Sequence, residues 1–119
     1  QRQMCIRDSS CGIYLQDADA ENGCLQVVPG SHRGGQIVEH ERDTRTHGSW
    51  TRVDEQQAVS LPVPAGTVVL FSANLLHGTV DNASNRTRYS TAWHYVPGAL
   101  DLTNFPRGGY EDRHTVRGQ

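Results

Sequence analysis

Six histidines stand along this chain, at positions 32, 40, 47, 77, 94 and 114. None lies in an H-E-x-x-H pattern, and no two have the close spacing that offers a metal a pair of imidazoles. His77 differs in its surroundings. It follows the apolar pair Leu75-Leu76, the small Gly78 comes next, and Arg88 lies eleven residues on. A turn centred near Asn82 and Ala83 would put His77 in one strand and Arg88 at the start of the next. Were those strands paired as a hairpin, 77 and 88 would be directly opposite on one face. Were they on facing sheets, both could still point inward. An imidazole and a guanidinium sharing an interior are costly unless an anion joins them. A ligand that carries a carboxylate and also chelates a metal meets both demands, and the planar fork of arginine suits the carboxylate.

Two motifs frame this pair. The first is ENGCLQVVPGSH, Glu21 to His32, with the pattern NG-x-L-x-x-x-PGSH. The second is HGTVDNASNRTR, His77 to Arg88, with the pattern H-x₄-N-x-S-x₃-R. Between them runs PAGTVVLFSANLLH, Pro64 to His77. In these motifs, and in their order and separation over roughly residues 12 to 96, the chain resembles the C-terminal portion of the phytanoyl-CoA dioxygenase family of Fe(II)/2-oxoglutarate oxygenases.

The resemblance implies a role for particular residues. His77 matches the distal iron-ligating histidine, and Arg88 the arginine that binds the far carboxylate of 2-oxoglutarate. Ser90 would assist at that carboxylate in an R-x-S arrangement. Asn82 and Ser84 match positions that form the turn. His32 would sit on a loop near the pocket rim, either facing substrate or shaping the loop. The implied cofactor is Fe(II), with 2-oxoglutarate and O₂ as cosubstrates. The implied reaction of the intact parent is hydroxylation of a small molecule or acyl conjugate, with formation of succinate and CO₂.

One departure matters. The family's iron site needs a His-x-Asp pair as well as the distal histidine, with positions left open for 2-oxoglutarate and O₂. None of the six histidines here is followed two positions later by Asp or Glu. In the family that pair lies upstream of the strand matching Gly12 to Asp17. The resemblance therefore implies that this chain alone is not an active enzyme. Two alternatives stay open: a halogenase of the same family, in which a small residue replaces the carboxylate of His-x-Asp, and a non-catalytic β-sandwich binding module.

The elements that must position these residues have β-type punctuation, with short apolar runs between Gly, Pro, Asn and Asp clusters. Expected strands are Gly12 to Leu15, Cys24 to Val28, Ala58 to Val63, Thr67 to Ser72, Leu75 to Val80 and Tyr89 to Val96. The Thr67 run is the most strongly β-forming and is expected to be buried. Val59, Leu61 and Val63 should share one face. Residues 31–56 are polar and aperiodic, and a connection of that length suggests a lid loop with room for one short helix. Six strands without an amphipathic helix predict an all-β fold, a partial double-stranded β-helix (jelly roll) lacking its first strands. Within it, residues 10–97 form the oxygenase-like part and 98–119 a polar, loosely ordered tail. Residues 1–9, QRQMCIRDS, lack periodicity and resemble translated adapter sequence, so they are expected to be a non-native leader.

Composition narrows the partners. The 119 residues hold 11 Lys+Arg, all arginine, against 13 Asp+Glu. The arginines are scattered among acids, so no basic face points to nucleic acid, and no apolar run reaches membrane length. A small-molecule substrate is the expected partner. Mean hydropathy of −0.61 is lean for an independent core. Cys5, Cys11 and Cys24 lack metal-type spacing and fit reduced thiols in a cytoplasmic protein. Two Asn-x-Ser/Thr triplets, at Asn82 and Asn85, fit turns better than glycosylation in a chain without a visible secretory signal. Trp50, Trp93 and Tyr95 are expected to pack in the core.

Overall fold

A computed structural model describes residues 9–34, 38–39, 41–42 and 49–95. The expected leader, apart from Ser9, and the expected tail lie outside the described residues. The first strand, β1 (Ser9–Tyr14), is central to a three-stranded sheet. Its neighbours are β6 (Val68–Ser72) and β8 (Ser90–Tyr95), both antiparallel to it. A second sheet is centred on β2 (Leu25–Val27), flanked by β5 (Val59–Leu61) and β7 (His77–Thr79). A two-stranded ladder joins β3 (Glu41–Arg42) to β4 (Ser49–Trp50). The described residues thus form a partial, all-β jelly roll.

In β2 and β6 alternate residues are the more buried ones. Cross-strand partners share a face, so the register identifies the inner face. In the first sheet Tyr14 lies opposite Ser90, Gly12 opposite Val69 and Ala92, and Ser10 opposite Phe71 and His94. Tyr14 and Ser10 are buried, and Val69 and Phe71 pack on the core cluster of Tyr14, Ala18, Cys24, Leu25 and Val27. In the second sheet Leu25 lies opposite Leu61 and Thr79, and Val27 opposite Val59 and His77. Leu25 and Val27 are buried, so His77 and Thr79 belong to the inner face of their sheet.

The core is small. Burying a side chain of Leu or Val size contributes about 1.5–3 kcal/mol, and only a handful of such groups are buried here. Two expectations need correction on this point. The Thr67 run is buried on one face only: Val69 and Phe71 pack inward, while Leu70 is 69% and Val68 53% exposed. β6 is an edge strand, and no described residue covers its outer side. Trp93 and Tyr95 lie with Cys11 and Leu70 on that outer face and are exposed, not core. Trp50 lies in β4, and its side chain falls outside the described residues. Val59 is likewise exposed, while Leu61 and Val63 pack on the core.

Residues 31–56, expected as a lid loop, are described in part. The described part holds two single-turn 3₁₀ helices, Ser31–Gly34 and Glu55–Gln57, as well as the β3–β4 ladder. The second turn starts at Asp54, whose carboxylate accepts from the Gln56 amide at 3.1 Å as an N-cap. Cys11 and Cys24 are buried free thiols.

Candidate functional site

His77 and Arg88 do not face each other across a hairpin. β7 pairs with β2 and β8 pairs with β1, so the two residues belong to opposite sheets. Of the two arrangements that the spacing allows, this is the facing-sheet one. His77 starts β7 on its inner face, exposed at the open edge of the sandwich. Its Nδ1 lies 2.8 Å from the Leu75 carbonyl. A carbonyl only accepts, so Nδ1 carries the proton, and in the neutral imidazole the lone pair is then on Nε2. That is the tautomer of a metal-binding imidazole, held by a backbone acceptor. The Phe71 ring packs edge-on against the imidazole, with centroids 4.8 Å apart.

Arg88 is half-buried and enters β8 two residues before Ser90. The β1–β8 ladder continues beyond the strands to bring it in: the Leu15 amide donates to the Tyr89 carbonyl, and the Tyr89 amide to the Gln16 side chain. Arg88 Nε donates to the Asn22 carbonyl at 3.2 Å, and one Nη donates to Ser90 Oγ at 3.3 Å. With Nε engaged, the two Nη groups remain as the fork for a carboxylate.

Burial of Tyr14 raises its phenol above the usual tyrosine range, while the Arg88 charge and the Leu25 backbone N–H oppose that shift. Tyr14 and Leu25 share the core cluster. Leu25 pairs with Thr79, which is two residues, or ~7 Å, along β7 from His77. His77 thus starts a strand of the second sheet, and Arg88 leads into a strand of the first.

The first motif is the scaffold of the second. Asn22 is fully buried and braces the turn before β2, donating to the Asp17 carbonyl and accepting from the Asp19 amide. Gly23 has φ +83°, and a Cβ there would come within 2.5 Å of the Val80 carbonyl, so only glycine allows the strand after His77 to pass. The Ala83 amide donates to the Glu21 carbonyl, and Arg86 to the Asp19 carboxylate at 2.7 Å. That ion pair and the Asn22 and Glu21 amides hold the Asp19 carboxyl below its usual range, with Arg86 the largest cause. Further on, Ser31 Oγ accepts from the Leu76 amide at 2.9 Å, and the Val28 amide donates to the Leu76 carbonyl. The PGSH loop therefore fastens the residue directly before His77. His32 is exposed on the 3₁₀ turn that follows.

Asn82 and Ser84 form the turn. Asn82 Oδ1 accepts from the Ser84 amide and hydroxyl, and its amide group donates to the Arg86 carbonyl. His94 has a place that sequence reasoning missed: its Nδ1 lies 3.1 Å from the buried Ser10 hydroxyl, on the inner face. The parity of 88, 90, 92 and 94 along one strand was the available signal. Asn22 was also missed. A surface cleft of about 590 Å³, with Leu15, Asp17, Asn22 and Arg86 among its walls, includes neither His77 nor Arg88.

The described residues hold no group of three His, Cys, Asp or Glu side chains able to bind a metal. One imidazole fits an iron ligand and one guanidinium with a serine fits a carboxylate.

The family model for phytanoyl-CoA dioxygenase (PhyH) matches residues 2–90. The chain belongs to the phytanoyl-CoA dioxygenase family. Phytanoyl-CoA dioxygenase 1 of Oryza sativa subsp. japonica is 32% identical over 87 residues, 71% of this chain and 31% of the relative. Phytanoyl-CoA dioxygenase domain-containing protein 1 of Bos taurus is 35% identical over 94 residues, 73% of this chain and 32% of the relative. The chain thus spans about a third of the length of these relatives. Among solved structures, EvdO2 from Micromonospora carbonacea var. aurantiaca complexed with 2-oxoglutarate superposes with TM-score 0.63 at 29% identity. That match covers 82% of this chain and 44% of EvdO2. EctD from S. alaskensis with bound Fe gives TM-score 0.55 at 25% identity, over 77% of this chain and 32% of EctD. The matched span includes both segments that the fold ties together, Glu21 to His32 and His77 to Arg88. No helix among the described residues is long and apolar enough to cross a membrane.

Proposed function

We propose that this chain is the 2-oxoglutarate-binding part of a non-haem Fe(II) dioxygenase that hydroxylates a small molecule or acyl conjugate. The observation that supports this reading is that His77 opens β7 opposite Val27, while Arg88 leads into β8 of the other sheet with its Nε on the Asn22 carbonyl. His77 would be one iron ligand through Nε2. Arg88 and Ser90 would hold the far carboxylate of 2-oxoglutarate. The bound iron would supply O₂ activation coupled to oxidative decarboxylation of the 2-oxo acid to succinate and CO₂.

The chain's own part is orientation. Leu75 and Phe71 fix the imidazole, and Asn22 takes up Arg88 Nε so that the Nη fork remains available. Charge-assisted bonds to a carboxylate are about twice as strong as neutral ones, so Arg88 would dominate cosubstrate affinity. His32 and His94 are candidates for contacts on the substrate side. The partner class remains a small molecule, without nucleic acid or membrane, in the cytoplasm.

The test is the coding sequence upstream of Gly12 together with metal binding by the full-length gene product. A His-x-Asp pair there supports hydroxylation. His-x-Ala or His-x-Gly supports the halogenase alternative, because a halide would take the freed position. A complete gene with neither pair sinks the oxygenase reading and leaves a binding module.

A further inference from the structure

We propose that Phe71 is a modification site: in turnover without bound substrate, its ring takes the hydroxyl group that a substrate would otherwise receive. This rests on the 2-oxoglutarate reading above and concerns a residue that holds neither iron nor cosubstrate. Phe71 and His77 flank the turn that carries the chain from β6 to β7, and so from one sheet to the other. The turn is closed on itself, the Leu75 amide donating to the Ser72 carbonyl at 2.9 Å and the Asn74 amide to Ser72 Oγ at 3.3 Å. Across it the half-buried phenyl ring meets the imidazole edge-on, with centroids 4.8 Å apart and planes at 63°. No other aromatic ring among the described residues is in contact with that imidazole. A metal on Nε2 would stand about 2 Å from that nitrogen, with the phenyl ring beside the same imidazole.

A bound substrate consumes the oxidant formed at the metal, whereas an empty pocket leaves that oxidant facing the protein wall. The step balances without another reagent. 2-Oxoglutarate loses CO₂ and takes one oxygen atom of O₂ to become succinate. The other oxygen atom enters the phenyl ring, where a C–O bond replaces a C–H bond and the hydrogen ends on the new hydroxyl. The electrons that reduce O₂ come in equal shares from the 2-oxo acid and the ring. Position singles out Phe71, since a phenyl ring is harder to oxidise than an indole or a phenol. Trp93 and Tyr95 are exposed, but they lie on the outer face of their sheet. Tyr14 is on the inner face, four residues along β1 from Ser10, the residue directly opposite Phe71; that separation is ~13 Å. An oxidant released to solvent would mark Trp93 and Tyr95 first, and one formed beside His77 would mark Phe71.

The experiment incubates the full-length gene product with Fe(II), ascorbate, 2-oxoglutarate and isotopically heavy O₂, with no substrate added, and maps oxygen gain by peptide mass spectrometry. Phe71 is expected to gain one heavy oxygen atom, and to gain none when N-oxalylglycine replaces 2-oxoglutarate. A protein that gives the anaerobic Fe(II)–2-oxoglutarate absorbance but leaves Phe71 unmodified, or carries the oxygen on Trp93 and Tyr95 instead, would overturn the proposal and leave the 2-oxoglutarate reading standing. Absence of that absorbance would overturn both. Nearness to the metal is read separately, without turnover, by fluorine NMR of protein labelled with fluorophenylalanine. Mn(II), compared with Zn(II), is expected to broaden the Phe71 signal, identified as the one missing from Phe71→Leu; an unbroadened signal refutes the placement. Should Phe71→Leu fail to fold, the mass measurement on the wild type decides alone.

Discussion

Arg88 donates from Nε to the backbone carbonyl of Asn22 at 3.2 Å, and Asn22 has no exposed surface. This contact joins the first motif to the second across 66 residues of sequence. The arginine is thus aimed by the backbone of a buried turn, which no surface change can easily move.

Asn22→Ala should remove the donor to the Asp17 carbonyl and the acceptor for the Asp19 amide together. Leaving buried polar groups without partners costs about 1–3 kcal/mol each. Denaturant unfolding should show a loss in that range. A change under 0.5 kcal/mol would mean that the turn is held by other means.

Gly23→Ala and Gly30→Ala separate two costs. Both glycines have positive φ, +83° and +80°, but only at Gly23 does a Cβ meet a backbone atom, the Val80 carbonyl. Gly30→Ala should cost about 1 kcal/mol for conformation alone. Gly23→Ala should cost more, because two backbone segments must move apart. Equal thermal shifts for the two variants would show that the close approach at Val80 carries no energy.

The Asp19–Arg86 pair gives a pH dependence of definite sign. The Asp19 carboxyl titrates lower when folded than when unfolded, first because of Arg86. Its contribution is therefore present above the unfolded carboxylate pKa and lost as pH falls through the lowered folded value. Asp19→Asn should lower stability near neutral pH and flatten the acid limb of a pH–stability curve. The pair is exposed, so the difference should be small and should shrink in high salt.

Ser31→Ala should affect the metal end and spare the carboxylate end. It leaves the Leu76 amide, directly before His77, without its side-chain acceptor. Supporting contacts of this kind are worth about 10–100-fold in metal affinity when they touch a ligand directly. A several-fold loss in Fe(II) affinity is expected here, with 2-oxobutyrate and 2-oxoglutarate affected alike. A loss confined to 2-oxoglutarate would place Ser31 at the other end of the site.

What was legible in the sequence was local. β-forming runs between turn residues marked β6 and β8, and the Asn82–Ser84 turn followed from turn chemistry. Pairing was not legible. Whether β7 meets β8 or β2 is decided by contacts far apart in sequence, so the spacing of His77 and Arg88 left hairpin and facing sheets equally open. The Thr67 run failed differently. Its composition is that of a strand buried on both faces, but an edge position leaves Val68 and Leu70 uncovered.

The central claim is that His77 and Arg88 hold opposite ends of one metal-chelating diacid. The most direct measurement is the visible charge-transfer absorbance that a 2-oxo acid gives on Fe(II), recorded anaerobically in the full-length gene product during 2-oxoglutarate titration. The band is expected in the wild type, absent in His77→Ala, and in Arg88→Ala present only at much higher 2-oxoglutarate. A wild-type titration in both variants would contradict the assignment of both residues.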